Sequence, residues 1–437
     1  MKLNFRVSAQ SLRTVTAHLA AVTLVSAMLS ACGHQEPNHL AAPAPANTVF
    51  EVMPLPHRHE AANPDLVLAP SGRLLLSWVE PREEGGHRLM LAQSRRPSDA
   101  EIEWQVTPIA EGDNWFVNWA DTPHVWALPD GSLWAHWLRR TGPGRMDYGI
   151  DLVRSEDGGA LWTAPRLVNL PGVLSDHGFV SFWVQADDQL GIAWLDSRQK
   201  GTSADDDHSD HHAHHGGGPM MLRAATFGPD AAPITEWPLD TSTCDCCPTS
   251  SAVTSRGAVV VYRGRAAGEI RDMWLVRLEN GAWTPSRAVH DDGWKIAGCP
   301  VNGPAVEAAG EDVWVAWYTE GGGQPSVRVA RSMDAGDHFE APVELSAGPA
   351  VLGRVAMALH GDEVLVAWLE EGGEGQQLML ARMRHDLHGM RKEVVASLDA
   401  KGRASGMPRL VANGVHGWMV WVDVEGGRPG LRGMRLD

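Results

Sequence analysis

The sequence is poor in basic residues and has a single long apolar run. Lys and Arg number 37 among 437 residues against 54 Asp and Glu, which gives a formal net charge of −17. Because phosphate backbones are bound by basic surfaces, this balance argues against a nucleic-acid partner. The sequence also lacks a phosphate-binding loop, a nicotinamide-binding fingerprint and a nucleophile elbow. With 43% hydrophobic and 21% charged residues, the chain is globular, which excludes a multi-span membrane protein and a disordered one.

The apolar run lies at the amino terminus and has the character of an export signal. Three basic residues precede the stretch from Val15 to Leu29, which is too short to span a membrane easily. The stretch leads into Ser30-Ala31-Cys32-Gly33, which resembles the bacterial lipobox and implies removal of residues 1–31 and acylation of Cys32. A secretory signal with a chance cysteine is the alternative. We therefore predict an exported lipoprotein of the outer membrane, bound to the membrane through its lipid and an Ala/Pro-rich tether over residues 32–47.

Residues 48–437 contain seven copies of one pattern: an apolar run, a tight turn, and a second apolar run that ends in an aromatic residue. These closing aromatics are Trp78, Trp137, Trp194, Tyr262, Trp317, Trp368 and Trp421. A repeat of about 50 residues with four short strands is typical of a β-propeller blade. The pattern predicts an all-β propeller of seven four-stranded blades, with six blades as the alternative. Residues 48–54 would supply the missing outer strand of the last blade and close the ring.

Two copies carry a sharper motif of the form Ser-x-Asp-x-Gly-x-x-aromatic. Its residues are Ser155, Asp157, Gly159 and Trp162 in one copy and Ser332, Asp334, Gly336 and Phe339 in the other. This motif is the Asp-box, or bacterial neuraminidase repeat, and the chain resembles the sialidase-like propeller superfamily over most of residues 48–437. The resemblance implies that both boxes are structural and lie in the turn between the third and fourth strands. Ser and Asp can bond the turn backbone there, and Gly permits a positive φ.

The resemblance does not extend to the catalytic residues of sialidases. That family uses three arginines to bind the substrate carboxylate, a Tyr nucleophile with a Glu, and an Asp acid. Here the first blade reads Ala62-Asn63-Pro64-Asp65 where the family has Arg-Ile-Pro, and no Tyr follows Tyr318. The catalytic residues therefore stay unassigned, and an exo-glycosidase with non-standard catalytic residues stays an alternative function.

One face of the predicted propeller is expected to carry the ligand site. The loops that enter each innermost strand and the loops that follow each second strand share this face. Its candidate ligand residues are Asp121, His177, Arg139, Asp196, Arg263 and Arg354. Asp121 could act as an acid and Arg354 could hold a carboxylate, whereas a solvated rim of mixed charge is the plainer explanation.

The same face collects cysteines and histidines. Cys244, Cys246 and Cys247 precede the innermost strand of the fourth blade, and Cys299 precedes that of the fifth. An insertion at 199–219, between the second and third strands of the third blade, contains His208, His211, His212, His214 and His215. Thiolates suit Cu(I) or Zn, and imidazoles suit Cu(II), Ni or Zn. These nine residues are the predicted ligands of a transition metal, the one cofactor that the sequence suggests.

Disulfides are the other explanation of the cysteines, because an exported protein lives where disulfides form. Four cysteines allow three connectivities, and a pair such as Cys244 or Cys247 with Cys299 would join adjacent blades. Disulfides in the oxidised protein and a soft-metal site in the reduced one can coexist. The leading hypothesis is a sialidase-like propeller lipoprotein of the bacterial envelope that binds a transition metal or a metal-carrying partner. A glycan-cleaving enzyme and a scaffold for another envelope protein are the alternatives.

Overall fold

A computed structural model describes residues 50–57, 60–95, 102–200, 219–373 and 375–437. The predicted signal peptide, the lipid site at Cys32, the tether and the five histidines of the insertion lie outside these ranges. One short 3-10 helix (Gly402–Ser405) accompanies the strands. Among the described residues, no helix has the length and apolar character needed to cross a membrane.

The strands form seven sheets, one for each predicted blade. The first strand among the described residues, β1 (Phe50–Val52), belongs to the last blade. Blade 1 contains β2 (Ala62–Leu68), β3 (Leu74–Pro81), β4 (His87–Ser94) and β5 (Trp104–Gly112). Blade 2 contains β6 (Val125–Ala127), β7 (Leu133–Arg140), β8 (Tyr148–Ser155) and β9 (Arg166–Leu167). Blade 3 contains β10 (His177–Ala186), β11 (Gln189–Asp196), β12 (Met220–Phe227) and β13 (Pro233–Thr243).

Blade 4 has a divided outer strand, because two short segments pair with its third strand. It contains β14 (Ser250–Thr254), β15 (Gly257–Arg263), β16 (Met273–Glu279), β17 (Ala282–Trp283) and β18 (Arg287–His290). Blade 5 contains β19 (Ala305–Ala309), β20 (Asp312–Thr319), β21 (Ser326–Ser332) and β22 (Val343–Ala347). Blade 6 contains β23 (Val351–His360), β24 (Glu363–Gly372), β25 (Gly375–Arg384) and β26 (Arg391–Leu398). Blade 7 contains β27 (Arg409–Ala412), β28 (Gly417–Glu425), β29 (Arg428–Leu436) and β1.

The two ends of the described chain close the ring in one sheet. β1 pairs antiparallel with β29, with Phe50 opposite Leu436 and Val52 opposite Met434. The outer strand of blade 7 therefore comes from the start of the propeller, as the sequence predicts. The prediction of seven four-stranded blades is confirmed, and the six-blade alternative is wrong.

The buried apolar side chains of the described chain form seven clusters, and each lies between two neighbouring blades. The closing aromatics of the second strands belong to these clusters, with Trp194, Trp317 and Trp368 each 0% exposed. Tyr262, which replaces Trp in blade 4, is also 0% exposed. Since a blade cannot bury both of its faces alone, stability comes from stacking around the ring. The innermost strands of all seven blades line a cavity of about 430 Å³ at the axis.

Both Asp-boxes lie in turns between third and fourth strands, as predicted. In the first box, Ser155 Oγ accepts a hydrogen bond from the Gly159 amide at 2.8 Å and donates to Asp157 Oδ1 at 2.9 Å. The second box repeats these bonds, with Ser332 Oγ 2.9 Å from the Gly336 amide nitrogen and 2.7 Å from Asp334 Oδ1.

The glycine and the aromatic residue of each box also have the predicted roles. Gly159 and Gly336 have φ of 87° and 88°, which favour glycine. Trp162 packs against the cluster between blades 1 and 2, and Phe339 packs against the cluster between blades 4 and 5. Each aromatic therefore lies between its own blade and the preceding one.

Candidate metal centre

The cysteines lie in two connectors that enter neighbouring innermost strands. Cys244, Cys246 and Cys247 follow β13 and precede β14, and Cys299 follows β18 and precedes β19. The first connector is held at both ends. Its Cys244 amide donates to the Arg263 carbonyl at 2.9 Å, and Thr249 Oγ1 donates to the Phe179 carbonyl at 2.8 Å.

One disulfide joins the two connectors, and its pairing differs from the predicted one. Cys246 bonds to Cys299, with a Cα–Cα distance of 6.0 Å, and links blade 4 to blade 5. The expectation that Cys244 or Cys247 bonds to Cys299 is wrong, because both of these side chains point into the protein. They are 0% and 2% exposed, whereas Cys246 is half-buried and Cys299 is exposed. While the disulfide is intact, Cys246 and Cys299 have no thiolate for a metal.

Three sulfurs nevertheless form a compact cluster. The Sγ atoms of Cys244, Cys246 and Cys247 all lie within 4.8 Å of one another, and Cys244 and Cys247 are free thiols. We call these three residues the sulfur cluster. A group of cysteines that could hold a metal is therefore present, as predicted.

Two arginines surround the sulfur cluster with positive charge. Arg271 Nη1 lies 3.6 Å from Cys244 Sγ and donates a hydrogen bond to it. Arg263, which is 1% exposed, donates to the carbonyls of Asn302, Arg271 and Tyr318 at 2.7–3.0 Å. Within the described part of the chain, no carboxylate forms an ion pair with Arg263. Its charge is therefore available to stabilise a nearby anion.

This environment shifts the pKa values of the two thiols in opposite directions. Burial by itself opposes ionisation of Cys244, but the hydrogen bond from Cys247 and the charges of Arg263 and Arg271 lower the Cys244 pKa to about 6. Burial, together with the neighbouring Cys244, raises the pKa of Cys247 well above its usual value. The site therefore favours the thiolate at Cys244 over the thiolate at Cys247.

The two described ends of the His-rich insertion border the sulfur cluster. At one end, Lys200 Nζ lies 2.9 Å from Asp245 Oδ1, inside the first cysteine connector. At the other end, Met220 pairs with Thr243, the residue before Cys244. The insertion thus leaves and rejoins the propeller beside the cysteines, whereas a ligand role for its histidines stays a prediction.

Asp121, His177 and Asp196 are buried next to one another at the start of blade 3. Asp121 Oδ1 accepts from the Phe179 amide at 2.9 Å. His177 Nδ1 donates to the carbonyls of Tyr148 and Ser175, and its Nε2 lies 3.6 Å from Asp196 Oδ1. These residues are 3%, 0% and 0% exposed, so they are part of the interior rather than of an open rim. A ligand role for them stays a prediction.

The remaining arginines of the predicted ligand face use their donors within the protein. Arg139 forms a two-point ion pair with Asp151. Arg354 Nη1 donates to Ser405 Oγ at 2.6 Å and to the Gly406 carbonyl at 3.2 Å. Its guanidinium carbon lies 4.5 Å from the centre of the Trp119 ring, which comes from the connector that enters blade 2. Each guanidinium group is therefore at least partly bonded within the protein.

Arg271 is a site residue that the sequence reasoning missed. It lies between β15 and β16, in a loop that follows a second strand and so belongs to the predicted ligand face. Its position in that loop could have marked Arg271 as a candidate site residue. The contact of Arg271 with Cys244 could not be predicted from the sequence, because the two residues are 27 positions apart in different elements.

No protein-family model matches the chain, and no curated protein sequence matches it. Solved structures are similar to the chain at low sequence identity. A protein of unknown function from Dyadobacter fermentans is 15% identical, with a TM-score of 0.48, and the match covers 89% of this chain and 97% of that one. An α-L-arabinanase from Penicillium chrysogenum is 14% identical, with a TM-score of 0.45, covering 79% and 99%. A sialidase from Streptococcus pneumoniae is 9% identical, with a TM-score of 0.44, covering 84% and 83%.

The seven-bladed propeller predicted from the sequence is confirmed as the fold of this chain. Its seven blades and the two Asp-box turns within them are features of this chain's own structure. What the protein binds has to be argued from the sulfur cluster and its surroundings.

Proposed function

We propose that this protein is a propeller lipoprotein of the bacterial envelope that binds Cu(I) through Cys244 and Cys247. The observation that carries the proposal is the presence of two buried, unpaired thiols whose sulfurs lie within 4.8 Å of each other. Soft thiolate ligands select Cu(I) and Zn among the metals available to proteins.

The charge and the number of ligands favour Cu(I) over Zn. Structural Zn almost always takes four protein ligands, and the intact Cys246–Cys299 disulfide leaves only two free thiols in the described site. Two thiolates around one Cu(I) carry a net charge of −1. Arg263 can offset that charge in a buried setting where Coulomb interactions are strong, whereas Arg271 donates to Cys244 but is also paired with Glu269.

The insertion adds a second part to the proposal. Its histidines and aspartates would collect cations near the sulfur cluster, because the two ends of the insertion border that cluster. Neutral imidazole is the metal ligand, so this contribution should weaken as the pH falls through about 6.5.

The alternatives have less support from the described residues. Binding of a carboxylate in the way of sialidases needs arginines directed at the substrate, whereas Arg263 and Arg354 Nη1 donate to protein groups. The role of scaffold for another envelope protein stays compatible with the copper site and would be tested by pull-down from solubilised membranes.

Anaerobic titration of the full chain in detergent with Cu(I), in competition with a Cu(I) chelator, tests the proposal. We expect one tightly bound ion per chain, and loss of that ion in Cys244→Ser/Cys247→Ser. The matched control is Cys246→Ser/Cys299→Ser, which removes two sulfurs but keeps both free thiols and should retain the ion. A variant with all five insertion histidines changed to Asn should also retain the tight site.

A second readout needs no variant. Bound Cu(I) should protect Cys244 and Cys247 of the parent protein from alkylation, mapped by peptide mass spectrometry. Tight binding by the Cys244→Ser/Cys247→Ser variant, or unchanged alkylation in the presence of Cu(I), would refute the proposed site.

A further inference from the structure

The sulfur cluster contains a dithiol and one half of a disulfide in a single group. Cys244 and Cys247 have the Cys-x-x-Cys spacing and are free, and Cys246, which lies between them in sequence, is bonded to Cys299. All three clustered Sγ atoms are within 4.8 Å of one another. Each dithiol sulfur therefore lies within 4.8 Å of Cys246 Sγ, one of the two sulfurs of the disulfide.

The two pairs differ in their access to solvent. The dithiol is buried, with Cys244 0% and Cys247 2% exposed. The disulfide reaches the surface, because Cys299 is exposed at the start of the connector into blade 5. A large external disulfide can approach Cys299 but has no direct path to the buried pair.

We infer that the four cysteines form a dithiol–disulfide relay, in which the buried Cys244/Cys247 pair reduces an external disulfide through the surface Cys246/Cys299 pair. The inference concerns the same sulfur cluster as the proposed copper site, but it rests on disulfide exchange and needs no bound ion.

The internal exchange moves the disulfide without gain or loss of electrons. The Cys244 thiolate attacks Cys246 Sγ, the Cys246–Cys299 bond breaks, and Cys299 leaves as a thiolate that solvent can protonate. Cys247 then attacks Cys244 Sγ, the Cys244–Cys246 bond breaks, and the proton of Cys247 passes to the departing Cys246 sulfur. The result is a buried Cys244–Cys247 disulfide and a dithiol at Cys246 and Cys299.

The surface dithiol then performs the external step. The Cys299 thiolate attacks one sulfur of a substrate disulfide and forms a mixed disulfide while the first substrate thiolate leaves. Cys246 attacks Cys299 Sγ, releases the second substrate thiol and restores the Cys246–Cys299 bond. Overall, the Cys244/Cys247 dithiol is oxidised to a disulfide and one substrate disulfide is reduced to two thiols. A dithiol reductant of the envelope would have to restore the starting state.

The arginines that would stabilise metal-bound thiolates would also stabilise the thiolate needed for disulfide exchange. Thiolate is the attacking species in disulfide exchange, and Arg271 lies 3.6 Å from the sulfur that makes the first attack. The positive environment therefore makes Cys244 the attacking sulfur, and the exposed Cys299 is the sulfur that leaves toward solvent.

The test uses the full chain, purified without oxygen, and an aromatic disulfide such as 5,5′-dithiobis(2-nitrobenzoate) as the probe. We expect two thiolates of the probe to be released per chain. Peptide mapping of the product should show two disulfides, Cys246–Cys299 and Cys244–Cys247. The variant Cys246→Ser/Cys299→Ser keeps the buried dithiol and should release the probe thiolate at least about tenfold more slowly. Equal rates would show direct attack by the buried pair and would overturn the relay.

A second measurement detects the internal exchange in the unmodified protein. Brief, sub-stoichiometric alkylation should label Cys299 as well as Cys244 and Cys247, because the exchange frees Cys299 in a fraction of the molecules. If Cys244 and Cys247 are labelled and Cys299 is not, the exchange does not occur and the relay is contradicted. Cu(I) binding by the Cys246→Ser/Cys299→Ser variant is independent of both results, so failure of the relay and failure of the copper site are distinguishable.

Discussion

At the scale of single residues, two buried carboxylates near the start of blade 3 show how a cationic partner changes the pKa of a carboxyl group. Asp196 accepts two hydrogen bonds from Arg198 at 2.7 and 2.8 Å, and although burial opposes its charge, this pairing lowers its pKa. Asp121 has no such cation. Its Oδ2 is buried without a hydrogen-bond partner, and burial raises the pKa of the carboxyl group to about 7.

The substitution Asp121→Asn should stabilise the protein at alkaline pH. The unfolded chain releases the Asp121 proton near pH 4 and the folded chain only near pH 7. Stability is therefore lost as the pH rises through this window, on the order of 2–4 kcal/mol in total. Asn carries no charge and can keep the hydrogen bond from the Phe179 amide. Urea unfolding followed by Trp fluorescence should show a more stable variant at pH 8 and near equality at pH 4.

Asp196→Asn is the control and should have the opposite sign, with a loss of stability at pH 8 because Arg198 loses its ion pair with Asp196 and keeps only the one with Glu236. An Asp121→Asn variant that is also less stable at pH 8 would show that the Asp121 carboxylate is charged and well solvated.

The cysteine pairing marks the limit of prediction for single residues. The sequence places four cysteines in two connectors that enter neighbouring blades, and this placement is correct. Which of Cys244, Cys246 and Cys247 faces outward depends on the path of the connector between Arg263 and Phe179, residues that are distant in sequence. Composition and spacing contain no information on that path.

At the scale of elements, the Asp-box is a turn built by its own side chains. Ser155 and Ser332 are 1% and 0% exposed, and each Oγ bonds both the Gly amide and the Asp carboxylate of its own turn. All of these partners lie within four residues in sequence. Such local chemistry is visible in the sequence, which is why the motif and its position in the blade could both be predicted.

Removing either serine hydroxyl should cost stability by a similar amount. Ser155→Ala and Ser332→Ala each leave a buried Gly amide without its acceptor, at a cost of about 1–3 kcal/mol. Chemical denaturation of each variant measures this cost. Ser255→Ala, in an exposed turn of blade 4, is the matched control and should change stability by less than about 0.5 kcal/mol. A neutral effect in both boxes would show that Asp157 and Asp334 hold the turns alone.

The divided outer strand of blade 4 could not be predicted in the same way. β17 and β18 pair with different parts of β16, and Trp283 packs against Trp183 of blade 3 with ring centres 5.8 Å apart. The break in this strand depends on a contact with another blade. Short outer strands have weak periodicity, so only their number, and not their continuity, follows from the repeat.

At the scale of the whole molecule, the ring depends on a short latch at its start. Met53 follows β1, is 3% exposed and belongs to the cluster between blades 7 and 1. Its amide donates to the Gly433 carbonyl at 2.9 Å. The latch thus contributes both a strand and a core side chain to the seam between the first and last blades.

Met53→Ala should destabilise the propeller by about 2–5 kcal/mol, because truncation leaves a cavity at that seam. Thermal unfolding followed by circular dichroism measures the effect. Met333→Ala, at a position that is 57% exposed, makes the same chemical change without a cavity and should be close to neutral. Equal effects of the two substitutions would mean that the latch does not contribute to the stability of the ring.

The repeat made the global architecture predictable, and the same topology predicted part of the site. Seven similar units of about 50 residues can bury their faces only by closing on themselves. The rule that two kinds of loop share a face predicted that the insertion lies next to the first cysteine connector, and Lys200 at its start lies 2.9 Å from Asp245 in that connector. The approach of Arg271 and Arg263 to Cys244 was not predictable, because it arises from side-chain directions where blades 4 and 5 meet.

Because Phe50 pairs with Leu436, the two ends of the described chain lie in the same sheet. The blade at which the chain begins could therefore be changed without changing which blades are neighbours in space. A short turn that joins Asp437 to the residue before Phe50 would convert β29 and β1 into an ordinary hairpin. The chain could then be opened at a different inter-blade connector, and each blade would keep the same two neighbours. Circular permutants of this kind would carry the termini to a new position on the circumference while the sulfur cluster kept its surroundings.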